Sequence, residues 1–337
     1  LARAVVVAAI AGLGFAGALS FPLLAVLAGL YSAAGAFFTP AFDAIVPSLV
    51  AADDLAAANS LDQFVRPVAL RLAGPALGGV LVAGVGSSAA FALDAASFAA
   101  STLAIAALRT SLRVEAPAVS TRAAIGEGLR FVRSHVWLWG TLASAAIAYL
   151  AFLGPTEVLV PYLVKNQLHG SPAALGTVFA AGGVGAIMAA AVMAQHGQPR
   201  RDLTFMYGCW TVATLAVAGY GLARSTFQLA LVCLAFNALE AAGTVVWATI
   251  KQHHVPARML GRVSSLDWTI SIGLLPVSYA LTAPVVSLVG VRSTLVAAAL
   301  IGTAATAGAL LLPGMREIEG AARAPDDVPG ARRQLAA

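Results

Sequence analysis

Carboxylates set inside apolar runs are the residues of this chain with the most chemistry to offer. Glu240 stands near the middle of the apolar run 227–250, with Asn237 one helical turn before it. An ionised carboxylate at the centre of a hydrocarbon layer costs about 2.5–3.5 kcal/mol even on the lenient insertion scale, and a protonated one costs less. Such a group suits a proton relay whose charge follows its surroundings. The plainer reading is a structural pair with a neighbouring helix. Glu157 follows Gly154-Pro155, where a broken helix would free backbone groups to face a ligand or water. Asp43 lies near one end of the run 22–46, where a carboxylate reaches water cheaply. Tyr149, Trp247, Phe152 and Phe236 offer faces for stacking on a large apolar molecule, though such side chains more often face lipid or core.

Charge pairs form a second group. Asp62 and Arg66 are four apart on one helical face, with Arg71 a turn further along. Asp267 has Arg262 close in sequence. These read as latches that form in one conformational state and break in another, or as static pairs at helix ends. Gly74, Pro75, Gly78 and Gly79 allow bending and close backbone approach, as do Gly182, Gly183 and Gly185. His253-His254 has no Cys or Glu at metal-ligand spacing, so no metal is expected. Cys209 and Cys233 sit in apolar runs without a CxxC spacing and read as packing residues. No HExxH or GxSxG occurs, and Lys165 and Lys251 precede Asn166 and Gln252 rather than the Ser or Thr of a P-loop. An enzyme is not expected, nor any cofactor.

The elements that must position these residues are membrane helices. Of 337 residues 60% are hydrophobic and 10% charged, where a soluble domain carries about 25% charged residues. About 20 consecutive apolar residues cross a bilayer. Ten such runs are predicted: 3–20, 22–46, 68–85, 87–108, 138–159, 173–194, 204–223, 227–250, 265–288 and 292–312. With Arg3 inside and the runs alternating, only Lys165, Arg224 and Arg292 of the 20 basic residues fall outside. The positive-inside rule therefore puts the C-terminus in the cytoplasm of a multi-pass inner-membrane protein. It also accounts for the net charge of +5 without nucleic acid.

A weak repeat runs through the chain. Asn59-Ser60-Leu61-Asp62-Gln63 recurs as Ser264-Ser265-Leu266-Asp267-Trp268, a shift of 267 − 62 = 205. Gly86 and Gly290, each after a Val, are 290 − 86 = 204 apart, and four runs obey the same shift. Both copies keep one orientation, which makes them parallel repeats about an axis along the membrane normal. Runs 138–159 and 173–194 have no counterpart, so the first copy is expected to be short by two helices, with a true ten-helix protein as the alternative. Four units are expected: an incomplete bundle 1–108, an inter-bundle loop 109–137, a six-helix bundle 138–313 and a disordered tail 314–337. In the loop, Ile125, Leu129 and Val132 at helical spacing beside Arg122, Arg130 and Arg133 predict a short helix lying on the inner surface.

The stretch Pro40-Ala41-Phe42-Asp43-Ala44-Ile45-Val46-Pro47-Ser48-Leu49-Val50, with Leu55 and Ala58-Asn59-Ser60-Leu61, resembles the end of the fourth helix and following loop of bacterial major facilitator exporters. That group includes the enterobactin exporter and macrolide-efflux-like proteins. Gly74-Pro75-Ala76-Leu77-Gly78-Gly79 resembles the antiporter motif of their fifth helix, and Leu93-Asp94-Ala95-Ala96-Ser97-Phe98 the start of their sixth. Gly261-Arg262-Val263-Ser264-Ser265 resembles the loop before their eleventh. Leu70 stands where the antiporter motif has a further Gly, and the Gly-x-x-x-Asp-Arg loop is not in the chain.

The resemblance implies an all-α, major-facilitator-like fold of two parallel pseudo-repeats, with the tenth helix lining a central cavity. It implies proton-coupled export of a small organic molecule such as a drug, siderophore or secondary metabolite by alternating access. Glu240 with Asn237 would couple the proton. Glu157, Asp43, Tyr149 and Trp247 would border the cavity, and the glycine motif and charge pairs would gate it. The expected partners are the bilayer and the substrate, with no obligate protein partner. The competing readings are a non-transporting membrane binding or regulatory protein and a permease subunit of an ATP-driven transporter.

Overall fold

The structure, a computed structural model, describes residues 1–107 and 121–321; scattered positions, Arg71, Pro75 and Gly79 among them, are described by their backbone alone. Every regular element among the described residues is helical. A helix satisfies its own backbone hydrogen bonds, which is what a lipid-embedded segment requires. Large apolar side chains such as Phe21, Leu103, Phe227 and Leu288 point outward, as they do where the surroundings are lipid rather than water.

The first group of helices comprises α1 (Ala2–Phe15), α2 (Phe21–Ile45), α3 (Leu55–Pro67) and α4 (Gly74–Ala106). A π-helical turn at Val68–Ala73 joins α3 to α4, and α4 is itself two helices meeting at Gly86. Next comes α5 (Thr121–Ser134), which lies beside the second group. That group comprises α6 (Val136–Tyr162), α7 (Pro172–His196), α8 (Asp202–Leu222), α9 (Thr226–His254), α10 (Ala257–Ile272), α11 (Leu275–Val289) and α12 (Val291–Ala309). The short α13 (Glu317–Ala321) follows. Local signals fix several starts. Ser171 and Ser225 cap α7 and α9 by accepting from the N–H groups of Ala174 and Gln228.

Among the described residues seven helices are long and apolar enough to cross a bilayer, and Ala2–Phe15 and Phe21–Gly35 are shorter apolar stretches, so the count of ten is not confirmed. Two expected runs also begin earlier than their hydropathy indicated. The helix placed at 68–85 starts at Leu55, and the one placed at 265–288 starts at Ala257. Their first turns carry Asn59, Asp62 and Arg66, or Arg258, Arg262 and Asp267, which a hydropathy window rejects. The polar turns lie where the two groups meet, at the end of the molecule that carries most of the Arg and Lys, called here the basic end.

The repeat is visible in the backbone. Gly86 (φ 82°, ψ 164°) and Gly290 (φ 84°, ψ 163°) adopt the same conformation, one open to glycine and closed to other residues. Each sits 204 residues from the other, at the turn between two antiparallel helices. The preceding helix is interrupted in both copies, by the π-helical turn before Gly74 and by the break at Gly273-Leu274 before α11. A methyl on Gly74 would collide with the Ala69 carbonyl, and one on Gly273 with the Thr269 carbonyl. Small residues are therefore required at both interruptions.

Within the second group α7 crosses α9 closely, because Gly182 meets Asn237 and Cys233 and Gly185 meets the Leu234 backbone. The main contacts between the groups join α3 to α7 and α9, and α2 to α10. Those of α3 with α9 run through Asn59, and those of α2 with α10 bring Ala44 beside Gly261, both at the basic end. The beginning of the tail is ordered, contrary to the disorder expected from 314. Met315 is fully buried against Gly140, and Glu319 accepts from the backbone N–H and hydroxyl of Thr204 at the start of α8. Apolar Met315 and Ile318 give this segment something to bury. Residues 108–120 and 322–337 lie outside the described residues.

Candidate functional site

Glu240 is the midpoint of α9: 240 − 226 = 14 and 254 − 240 = 14. Its side chain is half-buried, and the Tyr149 hydroxyl of α6 donates to its Oε1 at 3.0 Å. Tyr149 opens a row of rings packed edge-on or tilted. Its centroid is 5.6 Å from that of Phe152, which is 5.6 Å from Phe236, which is 6.5 Å from Tyr220. Phe236 is one turn before Glu240 on α9. A carboxylate and a phenol thus meet at mid-depth beside an aromatic wall, and none of the ion pairs among the described residues involves Glu240. A hydroxyl donating to a carboxylate can hold the anion, or turn to accept from the acid once the carboxylate takes a proton.

Asn237 does not join Glu240. Its Nδ2 donates to the Cys233 carbonyl of its own helix at 2.8 Å and faces Gly182 of α7. Glu157 is exposed towards the far end of α6. The expected break beside it is absent: α6 is continuous through Pro155 and Pro161, and the Gly154 N–H donates to Ser278 Oγ of α11 at 2.8 Å. The hydroxyl takes the donor that a break would have offered to a ligand. Trp247 is buried at the basic end, away from the Glu240 group, with its ring edge-on to Trp137 and Trp210.

The basic end holds a second constellation. Lys251, in the last turn of α9, is buried and reaches Asp267 Oδ2 of α10 at 2.6 Å. Trp247 Nε1 donates to that same oxygen at 2.9 Å, and Ser271 Oγ donates to the other at 3.2 Å. On its other side Lys251 lies 3.8 Å from Asp43 Oδ2 of α2, in the opposite group of helices. One ammonium therefore serves two carboxylates across the interface. Beside it Asn59 of α3 donates to Thr249 Oγ1 at 2.9 Å and to Gln252 Oε1 at 2.7 Å, both on α9. The first and second groups are clasped there by one charge bridge and one amide clasp.

The charge pairs expected from the sequence divide differently. Asp62 and Arg66 do pair, at 3.0 Å, but within one helix, so they cannot hold two groups together. Arg262 does not serve Asp267; it pairs with Glu127 of α5. Asp43 joins the clasp rather than a cavity wall. The side chain of Arg71 is outside the described set. In the glycine motif, Gly74 fills the tight turn already described, while a methyl on Gly78 would meet no described atom. Sequence reading missed Lys251, Asn59 and Gln252. The apolar run ends at Ile250, so hydropathy alone puts Lys251 beyond it. The available signal was that Lys251 follows Trp247 by one turn on a helix that His253 and His254 extend.

Residues 1–334 match the family described as transmembrane secretion effector. The chain is similar to an uncharacterized MFS-type transporter, y4rN, of Sinorhizobium fredii, at 26% identity over 314 residues, covering 89% of this chain and 76% of that one. It is 29% identical over 343 residues to the multidrug efflux pump Tap of Mycobacterium tuberculosis, covering 96% and 79%. With Tap of Mycolicibacterium fortuitum the identity is 30% over 321 residues, covering 90% and 75%. Its fold is similar to the crystal structure of a bacterial homologue of the iron transporter ferroportin in an outward-facing state. The TM-score is 0.63 at 19% identity, over 94% of this chain and 80% of that one.

Proposed function

We propose that this chain, which belongs to the transmembrane secretion effector family of the major facilitator superfamily, exports a small amphipathic organic molecule by proton-coupled alternating access. That it is a membrane transporter follows from the family. Export of organic molecules is supported by similarity to pumps named for multidrug efflux. The basic end is taken as cytoplasmic, by the positive-inside rule, with the chain in the inner membrane and its C-terminus in the cytoplasm. The clasp of Lys251 with Asp43 and Asp267 then closes the cytoplasmic side, an outward-facing arrangement.

Proton coupling rests on one observation: the Glu240 carboxylate at the midpoint of α9, touched by the Tyr149 hydroxyl. A proton arriving from outside neutralises Glu240 and removes the cost of a charge at mid-depth. Opening to the cytoplasm releases it, and substrate enters beside the aromatic row. The inward proton gradient drives the outward load. In proteoliposomes, Glu240→Gln should lose gradient-driven export while retaining substrate exchange down its own gradient. Export at the wild-type rate in that variant would remove Glu240 from the coupling.

A further inference from the structure

We propose that α5 is a docking surface for the anionic phospholipid headgroups of the bilayer. The helix is held at headgroup level by its neighbours. One extended residue, His135 (φ −122°, ψ 111°), separates its end from the start of the membrane helix α6. In the first turn of α6, Trp139 is 39% exposed, the position that an indole takes at a membrane–water boundary.

One side of α5 is anchored in protein. Glu127 pairs with Arg262 of α10, Gly128 allows Leu266 and Arg262 of α10 to come close, and Val132 is buried. The other side carries exposed side chains among the described residues. Ile125 and Leu129 are 56% and 40% exposed, and Arg133 continues their row at the same four-residue spacing. Arg130 is exposed on the adjoining row. Glu127 is already committed to Arg262, so this side presents two arginines and no carboxylate among its described side chains.

An apolar row bordered by guanidinium groups fits the bilayer boundary. The aliphatic side chains enter the acyl region and the arginines meet phosphate. A soluble anion would use the charges but leave Ile125 and Leu129 in water. A neutral lipid surface would use the apolar row and leave the arginines unpaired. Only an anionic lipid surface uses both. The surface is tied to the clasp through α10, which carries both Arg262 and Asp267.

The test uses the whole chain in neutral detergent, with phosphatidylglycerol and phosphatidylcholine of equal chain length added together and the retained lipids counted by native mass spectrometry. Phosphatidylglycerol should be retained preferentially, and Arg130→Gln/Arg133→Gln should weaken its binding by about thirtyfold, at about fivefold per arginine near an anionic surface. Equal retention of the two lipids by the wild type would overturn the proposal. So would undiminished retention of phosphatidylglycerol by the double variant, or its displacement by glycerol 3-phosphate at matched concentration. Should the double variant not fold, the wild type decides alone: its preference must fall as salt is raised, and a preference indifferent to salt refutes the role of the arginines.

Discussion

Breaking the bridge between Lys251 and Asp43 should open the basic end by an amount that the geometry sets. At 3.8 Å, and with an effective dielectric of about 20, the attraction is about 4 kcal/mol before solvent is counted. Asp43 keeps 24% of its side chain exposed and Lys251 keeps a second partner in Asp267. Asp43→Asn should therefore cost the closed arrangement only about 1–2 kcal/mol, or roughly a 5- to 30-fold shift in the access equilibrium. Lys251→Met should do more. It leaves Asp43 and Asp267 near one another with no cation between them, which costs about 3–5 kcal/mol when one partner of a buried pair is removed. Asp62→Asn supplies the control, since its Arg66 partner is on the same helix. The readout is the distance between spin labels at Ser48 and Arg258, exposed positions beyond the ends of α2 and α9 in the opposite groups. The long-distance population should grow in the order Asp62→Asn, Asp43→Asn, Lys251→Met, with the first at wild type. Unchanged distances in Lys251→Met would refute the clasp as a gate.

Gly86→Ala and Gly290→Ala should each lower thermal stability by a similar amount, about 1–2 kcal/mol. A methyl meets no described atom at either site and only the left-handed backbone is penalised; very different melting shifts for the two would argue against the repeat as a structural unit. Met315→Ala should destabilise the second group by about 2–5 kcal/mol, since its fully buried side chain fills the space against Gly140. An unaltered melting temperature would mean that the tail segment does not dock as described.

The membrane class, the helical order and the repeat were legible because each depends on short-range pattern: apolar length, turn residues, and two glycines at a fixed shift. The seam between the groups was not. Asn59 is polar because it faces α9 rather than lipid, and a hydropathy window cannot tell such a turn from a loop. Glu240 was legible because a lone carboxylate inside an apolar run is costly wherever it points. Its partner was not, because Tyr149 is 91 residues away on another helix. Asn237 lay nearer in sequence and turned to Gly182 instead, since the close crossing of α7 and α9 leaves it facing that way.

The same repeat that reveals the fold points Asp267 to the wrong partner. It aligns Asp62 with Asp267, and Asp62 pairs with a neighbouring arginine on its own helix, so Arg262 looked like the counterpart. The second copy departs from the first at one place that the alignment passes over. At shifts of 204 and 205, Lys251 falls on Pro47 and Val46, and the first copy has no cation there. By the same shift of 204, Asp43 falls on Trp247. Equivalent positions on α2 and α9 thus hold a carboxylate in one copy and an indole in the other. The indole donates to Asp267 while the carboxylate faces Lys251. A symmetric scaffold brings the two positions to the same seam, and unlike side chains there make a bridge that two identical copies could not. Two carboxylates would repel and two indoles would carry no charge. The asymmetry between the copies is therefore what allows the seam to latch.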